Sequence, residues 1–327
     1  MRHTPYLVDD DISAKQNPHI DGVVVDVRRA PVQMEWPTVF VVLTCWGCFV
    51  GLLVVHRQLP DLVVVALFAL LGGWYMSVQH EVLHGHPTPW RWLNVTIAFP
   101  PLSLWLPYRV YRDSHLLHHR SELSMPGLDP ESFYVDAATW DRSPRWWRLV
   151  LRANRTFVGR LTIGPATFPQ GLVRWELSLA RRDASLRRMW LVHVVGVSVI
   201  AWVVFIVAGV PVWQYLLGYC YLGMSVTYIR SFVEHQAIAD PAMRSAVVTS
   251  GWFFGILFLF NNLHHTHHAL PGAPWYRLPR LTEEMGAEAI AASGAGWYRG
   301  YAEIMRRHAF RPFSTVVSPL VETNDRR

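Results

Sequence analysis

The sequence predicts an all-α membrane protein with four transmembrane helices arranged as two hairpins. Of its 327 residues, 51% are hydrophobic and only 17% are charged, whereas a soluble domain usually carries about a quarter charged residues. The apolar residues are gathered into four long runs, each near the roughly 20 residues that a helix needs to cross a bilayer. We predict spans at residues 38–56, 61–79, 190–208 and 212–233. Short connections containing proline separate the runs within each pair, which indicates two hairpins.

Two shorter apolar stretches do not fit the pattern of a spanning helix. Residues 92–106 are interrupted by Pro100 and Pro101, which cannot continue a regular helix. Residues 247–263 contain two glycines and end in a pair of asparagines. We therefore expect both stretches to form re-entrant or interfacial helices.

The remaining sequence predicts one membrane-embedded domain, at residues 36–320, between a polar N-terminal arm, 1–35, and a C-terminal tail, 321–327. The segment between the hairpins, roughly 80–189, is rich in arginine in a chain of net charge +6. Because cytoplasmic flanks of spans carry the Lys/Arg excess, we expect this segment to form a cytoplasmic helical cap, with both termini on the same side. Its charge is expected to contact membrane lipids or an acidic protein, and not nucleic acid.

Histidines are concentrated in three short boxes that follow apolar segments, and one more histidine follows the predicted fourth span. The boxes are His80-Glu-Val-Leu-His84, His115-Leu-Leu-His118-His119 and His264-His265-Thr-His267-His268. Residues three and four apart share a helix face, so each box can present two or three imidazoles to one point. Imidazole suits iron, zinc, copper and nickel. The boxes and the additional histidine therefore predict nine metal ligands, too many for one ion and about right for two: His80, His84, His115, His118, His119, His235, His264, His267 and His268.

Two other classes of protein also fit part of this pattern. His80-Glu81-Val-Leu-His84 matches the His-Glu-x-x-His motif of zinc proteases, in which the glutamate acts as general base. A membrane zinc protease would leave the seven other histidines unexplained. A histidine-rich metal transporter is expected to place its ligands near the bilayer midplane, whereas these boxes lie at the ends of the predicted spans. Both alternatives are less favoured.

In this order and spacing, the three boxes resemble those of the membrane fatty acid desaturase and hydroxylase superfamily. The resemblance extends from about the first span to Pro279. The sequences around the boxes, which include Trp105-Leu-Pro-Tyr108, Asp129-Pro-Glu-Ser132 and Pro274-Trp-Tyr276, are similar to a bacterial branch of desaturase-like proteins.

The resemblance implies two bound irons, a non-haem diiron centre, with the nine histidines as ligands and no catalytic side chain beyond them. Some relatives place an asparagine four residues before the histidine that matches His235, and here that position is Ser231. His86 and His265 are off the helix faces of their boxes, so we do not expect them to bind metal. Six side chains are expected to position ligands or to lie beside them: Glu81, His86, Glu234, Asn261, Asn262 and His265.

The expected function is oxidation of a lipid or fatty-acyl substrate, with O2 as co-substrate. The product is expected to be a desaturated chain, and the alternative is hydroxylation on the same scaffold. Because the sequence shows no cysteine cluster for an iron–sulfur centre and no Gly-x-Gly-x-x-Gly motif, we expect electrons from a separate carrier of ferredoxin, rubredoxin or cytochrome type. We expect an integral protein of a bacterial inner membrane with its histidine boxes on the cytoplasmic side. An apolar tunnel is expected along residues 74–76, Trp105, 219–224 and 252–259.

Overall fold

A computed structural model describes residues 33–181 and 183–321, without the side chains of residues 168–172, 174, 175, 178 and 179. Most of the predicted N-terminal arm, residues 1–32, and residues 322–327 of the predicted tail lie outside the described residues.

The fold is mostly helical, as the sequence predicts. Two π-helical segments are present: Trp202–Val207 continues the helix that ends at Ala201, and Leu216–Leu222 joins the helix that ends at Tyr215 to the one that begins at Gly223. Short 3-10 turns occur at His56–Gln58, Pro241–Met243 and Trp275–Arg277. The helices of the described residues are α1 (Trp36–Val55), α2 (Asp61–Leu83), α3 (Arg91–Ala98), α4 (Tyr108–His118), α5 (Ala137–Arg142), α6 (Arg145–Ala153), α7 (Phe157–Ala180), α8 (Ala184–Ala201), α9 (Val212–Tyr215), α10 (Gly223–Ser231), α11 (Trp252–Phe258), α12 (His264–Ala269), α13 (Leu278–Glu284), α14 (Ala287–Ser293) and α15 (Tyr301–His308).

Three helices among the described residues are long and apolar enough to cross a membrane: Trp36–Gln58, Asp61–Leu83 and Ala184–Val207. The last is the most exposed of the three, since only 11% of an apolar stretch of 18 residues within it is buried in the protein. The predicted fourth span, 212–233, is helical from Val212 to Ser231 but is not among the three. Gln214 and several tyrosines make this segment less apolar than the others, so the four-span topology stays a prediction.

The second helix also extends further than predicted. We expected the span to end at Gln79, but α2 continues to Leu83 and therefore contains His80 in its last turn. The first histidine box thus begins inside the helix, which fixes the orientation of His80 relative to the apolar part of the span.

Close packing between α2 and the segment 212–231 brings the ends of these helices together. A Cβ atom on Gly72 would lie 2.5 Å from the Tyr219 carbonyl oxygen and 3.0 Å from Gly223 Cα. Small residues at such positions let helix backbones approach one another, as in many membrane helix pairs. The contact places the end of α2, with its histidine box, beside the end of α10, which His235 follows.

The stretch 247–263, where we expected a re-entrant or interfacial helix, is only partly helical. It begins with a strand, β1 (Val247–Val248), which pairs in parallel with β2 (Trp297–Tyr298). The short helix α11 follows, and Leu259 and Phe260 then adopt left-handed backbone conformations, with φ of 48° and 50°. Such conformations are unfavourable for residues with a Cβ atom and are often kept at functional sites. They reverse the chain so that α12 follows at once.

Candidate metal centre

The nine predicted histidines come together as two neighbouring groups at the ends of α2, α4 and α10 and on α12. Within each group, one ligand atom from every residue lies within 4.8 Å of the others. The rings of His119 and His268, one from each group, stack with their centroids 4.2 Å apart, so the groups adjoin. The first group contains His80, His84, His115, His119 and His267, and the second contains His118, His235, His264 and His268.

Each His-x-x-His-His box is divided between the two groups. On α4 and its C-cap, His115 and His119 are four residues apart and share the first group, while His118 belongs to the second. On α12 the arrangement is reversed, because His264 and His268 share the second group. From the spacing we expected two or three imidazoles of a box to meet at one point. The structure shows two, since adjacent residues point about 100° apart on a helix.

The spacing of the ring nitrogens fits metal binding. Two nitrogens bound to one ion at about 2.1 Å, at right angles to each other, lie about 3.0 Å apart. A group of five imidazoles also exceeds the four ligands of a structural zinc site, which favours an ion of higher coordination number. Four pairs of Nε2 atoms are 3.0 Å apart: His115–His119, His119–His267, His118–His235 and His235–His264.

Carboxylates hold two of the imidazoles through the nitrogen that faces away from the group. The Nδ1 atom of His118 donates to Asp129 at 2.7 Å, and that of His115 donates to Glu131 at 2.9 Å. A proton fixed on Nδ1 leaves the Nε2 lone pair available for a metal ion. Asp129 and Glu131 were not predicted to contact the histidines, although both belong to a motif of the resemblance. Their contacts depend on how the loop after α4 folds back, which their spacing does not reveal.

Asn261 and Glu234 contact histidines of the two groups. The Asn261 side-chain oxygen is 3.2 Å from His264 Nδ1, and its nitrogen is 3.2 Å from His80 Nε2, so this amide links the two groups. A Glu234 oxygen lies 2.8 Å from Arg230 and 3.4 Å from His264. Asn261 thus provides an amide beside the centre. This chain has Ser231 at the position where some relatives have an asparagine.

Burial and neighbouring charges determine the protonation of the imidazoles. It lowers the pKa of His119 and His268 well below the ordinary value, and neighbouring imidazoles lower it further, so these rings are neutral as ligands must be. Burial also lowers the pKa of His118, but Glu131 and Asp129 outweigh it and raise that pKa to about 9. An environment that favours a proton on His118 also favours a metal cation beside it.

The other predicted neighbours of the centre make different contacts. Asn262 donates to the Val248 carbonyl and to Ser250, which supports the turn after β1. His265 lies beside its box but outside both groups, and its backbone N–H bonds to Ala246. Among the described residues, neither side chain forms a hydrogen bond with a histidine of the two groups.

Glu81 and His86 belong to a separate buried group with Glu35. His86 Nδ1 lies 2.8 Å from a Glu35 oxygen, and Glu81 accepts the backbone N–H of Trp275 at 2.9 Å. No hydrogen bond or ion pair joins Glu81 to the nine histidines in the described part of the chain. This arrangement differs from the expected role in positioning an imidazole, and it also removes the general base that a zinc protease would need beside His80 and His84.

A model of the family described as fatty acid desaturase matches residues 58–301. The chain belongs to the fatty acid desaturase family. The match contains all nine histidines and confirms the resemblance stated from the boxes. Members of this family are typically iron-dependent, and the all-imidazole groups fit that metal. No curated protein matches the chain.

In this desaturase-family chain, a cavity reaches both histidine groups. His115 of the first group and His235 of the second are part of its wall, together with Tyr111 and Glu131. Its apolar wall includes three residues of the predicted tunnel, namely Met76, Trp105 and Met224. Residues 252–259, which we also expected there, do not line it, because α11 packs elsewhere in the core.

Proposed function

We propose that the protein is a membrane-bound non-haem diiron oxidase that desaturates a fatty-acyl chain, with O2 and electrons from a separate carrier. The observation that carries the proposal is that one mostly apolar cavity is lined by a histidine of each group, His115 and His235. A substrate chain in this cavity would contact both metal positions. The nine predicted ligands then divide into five around one iron and four around the other.

Removing hydrogen from an unactivated carbon is beyond protein side chains, and this is the chemistry that two bound irons and O2 supply. The chain's own residues orient the imidazole ligands and hold the substrate. Asp129 and Glu131 keep the Nδ1 protons of His118 and His115 in place, so that both Nε2 lone pairs face inward. The apolar wall around Trp105 and Met224 holds the substrate and excludes water.

Hydroxylation on the same ligand set is the alternative outcome. Which one occurs depends on where the reacting carbons lie relative to the metal positions, and so on how the cavity holds the substrate. Mass spectrometry of lipids from cells that express the protein separates the two, since desaturation removes two hydrogens and hydroxylation adds one oxygen. His267→Ala should abolish either product, and His265→Ala is the matched control. Unchanged lipids in cells that contain metal-loaded protein and an electron carrier would contradict the proposal.

The proposed location is a bacterial inner membrane, with the boxes on the cytoplasmic side. Helix α6 supports an interfacial position for the cap, because Trp146 and Leu149 are exposed beside Arg145 and Arg152. Exposed apolar and basic residues on one helix suit the headgroup region of anionic lipids. The exposed arginines of this side would also attract an acidic electron carrier of ferredoxin, rubredoxin or cytochrome type.

A further inference from the structure

Two buried arginines on the cavity wall have no carboxylate partner among the described residues. Arg155 is 4% exposed and Arg160 is 2% exposed, and both line the cavity that reaches the histidines. The Arg155 guanidinium donates to the Phe133 carbonyl, and Arg160 Nε donates to the Asn154 carbonyl. Arg160 Nη1 is buried without a hydrogen-bond partner. Burial lowers the pKa of Arg155 to about 10 and that of Arg160 to about 9, so both remain charged at neutral pH.

Arg244 shows how this fold satisfies a buried arginine that has a structural role. It is also 2% exposed, but it forms an ion pair with Glu122 at 3.2 Å. Its guanidinium further donates to the carbonyl oxygens of Leu123, Ile238 and Ala239. Burying a charge without such partners is costly. The contrast indicates that Arg160, and with it the neighbouring Arg155, has a negatively charged partner other than the described residues.

The cavity contains no spare carboxylate for these arginines in the part of the chain that the structure describes. Glu131 is held by His115, and Glu234 is paired with Arg230 at 2.8 Å. The Arg160 guanidinium instead lies 3.5 Å from the Phe133 ring centroid. An aromatic face attracts a cation but does not neutralise it.

A third donor is present at the same place. The Tyr228 hydroxyl is buried without a hydrogen-bond partner, and the Tyr228 ring is 6.0 Å from the Arg160 guanidinium carbon. Tyr228 also lines the cavity. Two guanidinium groups without a carboxylate partner and a hydroxyl without an acceptor match an anionic group with several oxygens.

We propose that Arg155, Arg160 and Tyr228 form an anion-binding subsite within the cavity, and that the substrate is an acyl or alkyl chain ending in a carboxylate or phosphate. The inference rests on the proposed function, because it assumes that the cavity holds the chain to be oxidised. The arginines would bind the anionic head, and the position of attack would be counted from this fixed end.

Binding to the metal-loaded, full-length protein without reductant tests the subsite independently of turnover. The probes are hexadecanoate, hexadecyl phosphate and methyl hexadecanoate, each competing with a labelled fatty acid. Charge-assisted hydrogen bonds should make the better anionic probe bind roughly 10- to 100-fold more tightly than the methyl ester. The stronger of the two anions identifies the head group.

Arg160→Met should reduce that preference to about twofold or less, with little change in methyl ester affinity. Tyr228→Phe, which keeps the ring packing, should reduce it by a smaller factor and covers the case in which Arg160→Met does not fold. Arg280→Met, at an exposed arginine, should leave the preference unchanged. Equal binding of ester and anions to the wild-type protein, or a preference that survives both cavity variants, would overturn the subsite while the acyl cavity stands. If no acyl probe binds, the proposed function fails as well.

Discussion

His118 and Asp129 form a hydrogen bond of 2.7 Å in which both side chains are only 1% exposed. Asp129 also accepts the backbone N–H groups of Ser124 and Glu131, so its carboxylate is fixed before it orients the imidazole. Water cannot replace a contact this deeply buried. The second histidine group therefore depends on a residue that is not one of its ligands.

Asp129→Asn should weaken metal binding at the second group by roughly 10- to 100-fold, because the neutral amide holds the His118 ring less firmly. Titration with a chelator, followed by metal per folded chain, measures the effect. Glu131→Gln, at a more exposed carboxylate, is the matched comparison and should act on the first group through His115. Resistance to the chelator equal to that of the wild-type protein in the Asp129 variant would contradict this assignment.

The His264→Ala and His265→Ala variants should differ sharply in metal content, although the two residues are adjacent. His264 has its Nε2 atom 3.0 Å from that of His235, whereas His265 belongs to neither group. We expect the His264 variant to lose metal and the His265 variant to retain both ions. The measurement is metal per chain in folded protein of each variant. The same measurement on His84→Ala and His86→Ala repeats the comparison at the first box. Loss of metal in the His265 variant alone would show that the ligand register is wrong.

Glu81→Ala should reduce stability without removing metal. The substitution leaves the buried Trp275 N–H without its acceptor, which costs about 1–3 kcal/mol of unfolding free energy. Thermal unfolding in detergent and metal analysis of the same sample test both parts. A metal-free but stable variant would place Glu81 at the centre after all.

Gly72→Ala should destabilise the helix contact that places the boxes. The added methyl group would lie 2.5 Å from a backbone oxygen of Tyr219, which cannot move away cheaply, and overpacking of this kind costs roughly 1–3 kcal/mol. Gly47→Ala in α1 is the control, because nothing lies within 4 Å of its added atom. The two melting temperatures are compared directly, and equal values would mean that the contact contributes nothing.

The parts of this centre that depend on local geometry could be predicted from the sequence. His115 and His119 are four residues apart and meet because a helix brings such residues to one face. The position of His118 beside His235 could not be predicted, since the two residues are 117 positions apart and only the tertiary fold brings them together. Asp129 lies eleven residues after His118, and only the folded loop brings the two together.

The end of the apolar stretch 247–263 could not be predicted for a similar reason. Nothing in the side chains of Leu259 and Phe260 favours left-handed backbone, and the tertiary fold imposes it. The sequence therefore identified the amide of Asn261 as a candidate, but the turn that carries it to His80 and His264 appears only in the folded chain.

The sharing of α4 and α12 between the two groups has a consequence for how metal enters and leaves. His118 and His119 are adjacent on one rigid backbone, as are His267 and His268, and each pair reaches both positions. An ion that binds one histidine of a pair also fixes the orientation of the other histidine. Binding at the first position therefore favours binding at the second. Metal uptake should therefore be cooperative, with a steep titration curve and little singly loaded protein, and a chelator that removes one ion should soon release both.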